Sequence, residues 1–162
     1  LVRRDAGDRL EDAVIHALAA HPGHARVLTV DPLLPLIRPG RLAAALALAA
    51  REGADCVFSC HRESALLWQR SPMGLVPYFD PARRPDLGDA ADDVPWLRED
   101  GGFDLLDVAA FQRVGARHAG RIAPLETAPA EAVVAADAAG LAVCRALLAE
   151  ASRAEAAAAA AG

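Results

Sequence analysis

Three segments of the chain place reactive side chains just past short apolar runs. Arg26-Val27-Leu28-Thr29-Val30 runs into Asp31-Pro32-Leu33-Leu34-Pro35-Leu36, and Cys56-Val57-Phe58 runs into Ser59-Cys60-His61-Arg62. The third is Glu99-Asp100-Gly101-Gly102-Phe103, where paired glycines ahead of an apolar run let backbone approach a ligand. A carboxylate at a strand end is a ligand candidate in an open α/β sheet, where ligands bind beyond the carboxyl ends of the strands. The same residue types also make ordinary turns. Cys56-x3-Cys60-His61 offers metal-ligand types, but strand alternation puts the two thiols on one face and His61 on the other, so Cys56 reads as a small core residue. His21 and His24 flank a Pro-Gly turn and read as solvated. No Gly-x-Gly-x-x-Gly, Gly-Lys-Ser loop, Gly-x-Ser-x-Gly elbow or His-Glu-x-x-His occurs.

These segments need elements to hold them. Asp8-Arg9-Leu10-Glu11 has capping-box spacing ahead of apolar Leu10, Val14, Ala17 and Leu18, and His21-Pro22-Gly23 stops that helix. Arg26 to Asp31 reads as a short buried strand. A helix from Pro39 to Glu52 follows, with proline in its first turn and Gly53 after its end. Ala54 to Ser59 is the next strand. Strand, helix, strand with short connections predicts a βαβ unit and a parallel sheet. Gly102 to Leu106 and Arg121 to Glu126 read as further strands, with a helix over Val108 to Ala116 between them. A last helix over Ala138 to Ala154 carries Leu141, Cys144, Leu147 and Leu148 on one face. The expectation is that Val27–Val30, Cys56–Ser59 and Phe103–Leu106 are central strands, with Val14, Leu46 and Leu147 packing helices onto them.

Residues 62–95 differ in character. They hold Trp68, Tyr78 and Phe79, with Trp96 adjoining, among dense Pro, Asp and Arg, and read as an excursion from the sheet. Residues 1–155 form one α/β domain on this reading, and 156–162 are a low-complexity tail, either a fraying helix end or disorder.

Composition narrows the classes. With 162 residues the chain is one domain's worth, and 40 are alanine, so large-apolar content is ordinary despite 54% hydrophobic residues. All 17 basic residues are Arg against 22 acidic ones, a formal charge of -5 that argues against a nucleic-acid partner. The longest internal apolar run, Leu42 to Ala50, is far short of the ~20 residues that span a bilayer. Three cysteines make no disulfide framework and no signal peptide is visible, so a cytoplasmic protein without a membrane partner is the expectation.

The order of segments resembles the acylneuraminate cytidylyltransferases, the CMP-sialic acid synthetases, from Leu1 to about Ala149. Their Gln-Pro-Thr-Ser-Pro-Leu loop is similar to Asp31-Pro32-Leu33-Leu34-Pro35-Leu36, and their Asp-Ser-Val-Phe-Ser-Val and Leu-Trp to Asp55–Cys60 and Leu67-Trp68. Their Arg-Arg-Gln-Asp looks like Arg83-Arg84-Pro85-Asp86, and their Glu-Asn-Gly-Ser/Ala-Phe-Tyr like Glu99-Asp100-Gly101-Gly102-Phe103-Asp104. A Gly-Gly-Lys before the last strand resembles Ala119-Gly120-Arg121.

The resemblance implies a Rossmann-like nucleotidyltransferase sheet of the nucleotide-diphospho-sugar transferase type. Helices cover both faces, and residues 62–95 serve as a dimerisation excursion. The implied reaction transfers CMP from CTP to an acidic, sialic-acid-like sugar with Mg²⁺, releasing pyrophosphate. Asp31 and Pro32 fall at the nucleotide. Arg83, Arg84, Glu99, Gly101 and Gly102 fall at the sugar, where a guanidinium fork matches a carboxylate. The family's late Asp-Ile-Asp metal motif falls on Val134-Ala135-Ala136, and a one-residue shift makes Asp137 the metal carboxylate. Leu33 and Leu34 replace a hydroxyl pair and their side chains cannot donate hydrogen bonds, and the Arg-Gly-Gly-Ser-Lys-like phosphate loop has no counterpart in these residues. The expectation is therefore that the chain as given does not turn over CTP. The alternatives are a non-catalytic relative serving as a binding or scaffolding domain, and a sugar nucleotidyltransferase of the Kdo-activating kind.

Overall fold

The computed structural model of the chain describes residues 9–63, 66–83 and 96–161. In chain order the elements are α1 (Leu10–Ala20), β1 (Arg26–Val30), α2 (Pro39–Glu52), β2 (Cys56–Glu63), β3 (Trp68–Ser71) and β4 (Gly74–Pro77). They continue with β5 (Trp96–Asp107), α3 (Val108–Val114), β6 (Ile122–Glu126) and α4 (Ala138–Ala161). Short 3-10 turns occupy Pro81–Arg83 and Pro129–Ala132.

Local chemistry sets these boundaries. Pro39 opens α2, where its missing N–H is an orphan in any case. Gly53 closes it with φ 61°, and Ala54 N–H reaches back to Ala49 C=O at 3.0 Å, a Schellman ending. The carboxylate of Asp107 caps α3 by accepting the Ala110 N–H at 2.9 Å. The predicted cap of α1 at Asp8 lies outside the described residues, and Arg9 precedes the helix without a side-chain cap.

Four strands form one sheet in the order β1-β5-β2-β6. β5 is antiparallel to both β1 and β2, whereas β2 and β6 are parallel. The sheet is thus α/β and mixed, which corrects the all-parallel expectation. β1 and β2 do point the same way across the α2 crossover, but the crossover skips one position and β5 fills the gap. Periodicity reports that two strands run parallel through a helix; it does not report whether they touch. β1 is consequently an edge strand among the described residues rather than a central one.

Helices cover both faces, as expected. Ala45, Leu48 and Ala49 of α2 pack on Val57, Phe103, Leu105 and Ala123. On the opposite face Val14 of α1 and Phe111 of α3 pack on Cys56 and Leu106. Burial of each large side chain in these layers is worth about 1.5–3 kcal/mol. Leu46, expected in the core, is 52% exposed, because α2 presents the i, i+3, i+4 stripe 45, 48, 49 and Leu46 lies about 100° around from Ala45. In α4, Cys144 is buried but Leu141 and Leu148 are exposed, so the predicted four-residue face contracts to one turn. The low-complexity tail continues α4 to Ala161. None of the described helices is long and apolar enough to cross a membrane.

Of the excursion, Arg62 and Glu63 still belong to β2, opposite Leu97 and Trp96, so it leaves the sheet later than expected and then forms a hairpin. β3 and β4 pair antiparallel from Trp68↔Pro77 to Ser71↔Gly74 as a separate two-stranded sheet. Trp68 meets Phe79 edge-on at 5.3 Å, and Tyr78 meets Trp96 edge-on at 6.1 Å.

Candidate functional site

The three segments singled out from their chemistry meet at one end of the sheet. Asp31 N–H donates to Gly102 C=O at 2.9 Å, which joins the end of β1 to the middle of β5. The Ser59 hydroxyl accepts the Phe103 N–H at 3.0 Å and donates to the Asp100 carboxylate. Asp100 also accepts the Gly102 N–H at 2.9 Å and the Thr127 hydroxyl at 2.9 Å, and Thr127 follows the end of β6. All four strands therefore contribute to one polar knot.

The glycine pair sits inside β5 rather than ahead of it. Opposite Phe58 stands Asp104, but opposite Cys60 stands Glu99, so β5 carries extra residues in a bulge at 100–102. Gly101 has φ +73°, a conformation that disfavours a side chain. A Cβ on Gly102 would lie 2.2 Å from the δ-methyl of Ile37 and 3.1 Å from Ser59 Oγ. The space beside Gly102 is filled by protein packing, while Gly101 is exposed.

Asp31 behaves locally as a turn former. Its carboxylate accepts the Leu33 N–H at 2.8 Å, and its C=O accepts the Leu34 N–H at 3.2 Å. Pro32 is exposed beside it, whereas Leu34 is buried in the core. The loop is braced from outside by Ala135 N–H, which donates to Leu33 C=O at 2.8 Å. Asp137 follows two residues later, and its carboxylate caps α4 through the Gly140 N–H at 2.7 Å. Arg83 ends a 3-10 turn, and Arg84 lies outside the described residues.

The bulge turns Glu99 to the opposite face from Asp100. There Glu99, Asp104 and His118 bring ligand-type atoms within 4.8 Å of one another. His118 Nε2 lies 3.7 Å from Glu99 and 3.9 Å from Asp104 Oδ1, with its ring 5.3 Å from Phe58. Arg117 donates to Asp104 Oδ2 at 2.9 Å and to Glu11 at 3.2 Å. Burial is the largest influence and depresses the Arg117 pKa, but the hydrogen bonds and charges of Asp104 and Glu11 together outweigh it and hold the group above its ordinary value. Of this group only Glu99 was foreseen. Asp104 sits in a run that reads as apolar strand, and Arg117-His118 in a loop without apolar period; the charged residue inside Phe103-Asp104-Leu105-Leu106 was the available signal.

The two thiols of β2 are fully buried. Burial, then the neighbouring Asp104 and Glu99, pushes Cys56 up to about 12. Burial and Asp100 push Cys60 up to about 11. Both stay protonated at neutral pH, in keeping with Cys56 as a core residue.

A second buried pair braces the knot from α2. Glu131 in the Pro129–Ala132 turn is 4% exposed, and Arg41 holds its carboxylate with a fork of bonds between 2.9 and 3.2 Å. No protein-family model and no curated protein matches the chain.

Proposed function

We propose that the chain is a sugar-nucleotide domain of cytidylyltransferase type, serving transfer of CMP from CTP to an acidic, sialic-acid-like sugar. The observation that supports this reading is the convergence of Asp31–Leu36, Ser59 and Asp100–Gly102 at one end of a helix-flanked sheet. These are separate pieces of the motif resemblance, far apart in sequence. In an α/β sheet this end is where ligands bind. Exposed Pro32 and Gly101 lie at the rim of the knot and face solvent where a nucleotide or sugar would approach. Mg²⁺ is the cation this reading implies, with Asp137 as its carboxylate after release from the α4 cap.

The non-catalytic alternative has an observation of its own. Leu34 is buried in the loop where donors would be needed, and the Asp137 carboxylate is engaged with Gly140. Both features suit a domain that keeps the fold without the chemistry.

The test is calorimetric titration of the 162-residue chain with CTP, CMP and N-acetylneuraminate in Mg²⁺, beside a pyrophosphate-release assay. Saturable binding of CMP or the sugar without turnover is the expected result. Failure of all three to bind at millimolar concentration defeats the reading. Turnover above a mock preparation would overturn the expectation of inactivity instead. Pyrophosphate release by a longer form carrying an Arg-Gly-Gly-Ser-Lys-like loop decides for the enzyme over the scaffold.

A further inference from the structure

We propose that Glu99, Asp104 and His118 form a binding site for a divalent transition-metal ion of the Zn²⁺ class, open to solvent on one side. The proposal does not rest on the sugar-nucleotide reading: that reading assigns its cation to Asp137, and it shares with this site only Glu99, which the resemblance places at the sugar. Asp104 carries the argument. It stands within the sheet, between Thr29 of β1 and Phe58 of β2, and is 2% exposed. Its Oδ2 accepts from Arg117 at 2.9 Å and from Thr29 at 3.4 Å, but its buried Oδ1 has no hydrogen-bond partner among the described residues. A buried anionic oxygen without a donor is costly, and its lone pairs ask for a cation.

The oxygen points toward the cluster. His118 Nε2 lies 3.9 Å from it, and Glu99 Oε2 is 3.7 Å from that same nitrogen. Both separations are too long for hydrogen bonds. They lie a few tenths of an ångström beyond the spacing of a shared ion: with metal–ligand bonds of about 2.0–2.2 Å, the donor atoms around a tetrahedral ion stand about 3.3–3.6 Å apart. Rotation of the exposed His118 and Glu99 side chains toward the buried Asp104 closes that difference.

Charge supports the same conclusion. Among the described residues Arg117 is shared among Glu11, Glu99 and Asp104, while Arg9 pairs with Glu11. Glu99 and Asp104 are thus left with part of one guanidinium between them. An imidazole with two carboxylates is a mixed N/O set, which favours Zn²⁺, Co²⁺ or Mn²⁺ over Mg²⁺. Glu99 and His118 side chains are each 37% exposed, so a fourth position faces water, as in sites with three protein ligands and an open place.

The experiment is titration of the tag-free 162-residue chain with Co²⁺, read by visible absorption, and with Zn²⁺, read by calorimetry. One ion per chain is expected. His118→Ala should weaken binding by about 100-fold or more, since loss of a ligand must cost at least what loss of its supporting partner does. Glu99→Gln, at an equally exposed position, should weaken it in the same sense, and circular dichroism of both variants checks that they fold. Absence of binding at 100-fold excess of either ion overturns the proposal. So does binding that His118→Ala and Glu99→Gln leave unchanged, because the ion would then sit elsewhere.

Discussion

The hydroxyl of Ser59 donates to the carboxylate of Asp100, 41 residues further along the chain, while its oxygen accepts the Phe103 N–H at 3.0 Å. One small side chain thereby replaces a ladder bond that the β5 bulge has broken. Asp100 completes the repair with the Gly102 N–H and the Thr127 hydroxyl. On the β2 side the bulge is held by side-chain hydrogen bonds, while on the β1 side the Asp31 N–H still reaches the Gly102 C=O at 2.9 Å.

Asp100→Ala should therefore destabilise the fold by about 1–3 kcal/mol, because it takes the acceptor from the buried Ser59 hydroxyl, while the Thr127 hydroxyl keeps the Cys60 C=O at 3.0 Å. Asp100→Asn retains one acceptor oxygen and should cost about half as much. Urea unfolding followed by circular dichroism measures both. An Asp100→Ala midpoint equal to that of the parent chain would mean the bulge is held by something else.

Arg41 and Glu131 make the second test. The Glu131 side chain is 6% exposed against 33% for Arg41, so removing the guanidinium leaves a buried carboxylate alone. Arg41→Ala should cost about 3–5 kcal/mol, whereas replacing both partners by apolar residues of similar size should cost far less. Equal losses in the single and double variants would show that packing, not charge, is at stake. Calorimetric unfolding of the two chains decides it.

The sequence carries the order and kind of these elements better than their adjacency. α2 is announced by Pro39 and Gly53, and the structure ends it at Glu52. The strands over Arg26–Val30 and Ile122–Glu126 are equally plain from their apolar runs. β5 is not: it extends back to Trp96 through Arg98, Glu99, Asp100 and two glycines, residues that signal a turn. Pairing with β2 overrides that local preference, and the bulge absorbs the cost. The candidate site shows the same division. Asp31, Ser59 and the 99–102 segment are visible as unusual residues after apolar runs, but their mutual contacts arise from the antiparallel placement of β5. The Asp104–His118 relationship was hidden for that reason, since it joins a strand to a loop across α3.

Acid should weaken the fold through two carboxyls. Glu11 is held below its ordinary pKa by its own backbone N–H, then by Arg117 and Arg9, and Glu126 by its bond to Arg62. A carboxyl with a lower pKa folded than unfolded contributes stability that is complete above the unfolded value. That contribution disappears as pH falls through the folded value. Melting temperature should thus be level near neutrality and drop once pH passes below the ordinary value of 4.5. Glu11→Gln should flatten the acid limb, as the unfolded chain then loses one site that binds protons more readily. A limb of the same slope in Glu11→Gln would assign the acid sensitivity to other groups.

The excursion supplies the last test, a homodimer through residues 62–95. Among its described residues the hairpin exposes Trp68 (53%), Leu75 (59%), Val76 (47%) and Tyr78 (50%), and Met73 at its tip is 97% exposed. The aromatic pairs Trp68–Phe79 and Tyr78–Trp96 make the hairpin rigid without covering its outer side. Aromatic residues and Met are what interface centres favour, and a two-stranded hairpin with this much bare apolar surface gains from a cover. The resemblance points to a second copy of the chain as that cover. Sedimentation velocity at micromolar concentration should show a dimer, and Trp68→Ser with Leu75→Ser should return it to a monomer without unfolding the four-stranded sheet. A parent chain that sediments as a monomer up to about 100 µM, where most specific interfaces are already saturated, would leave the hairpin as a cover for one sheet edge and nothing more.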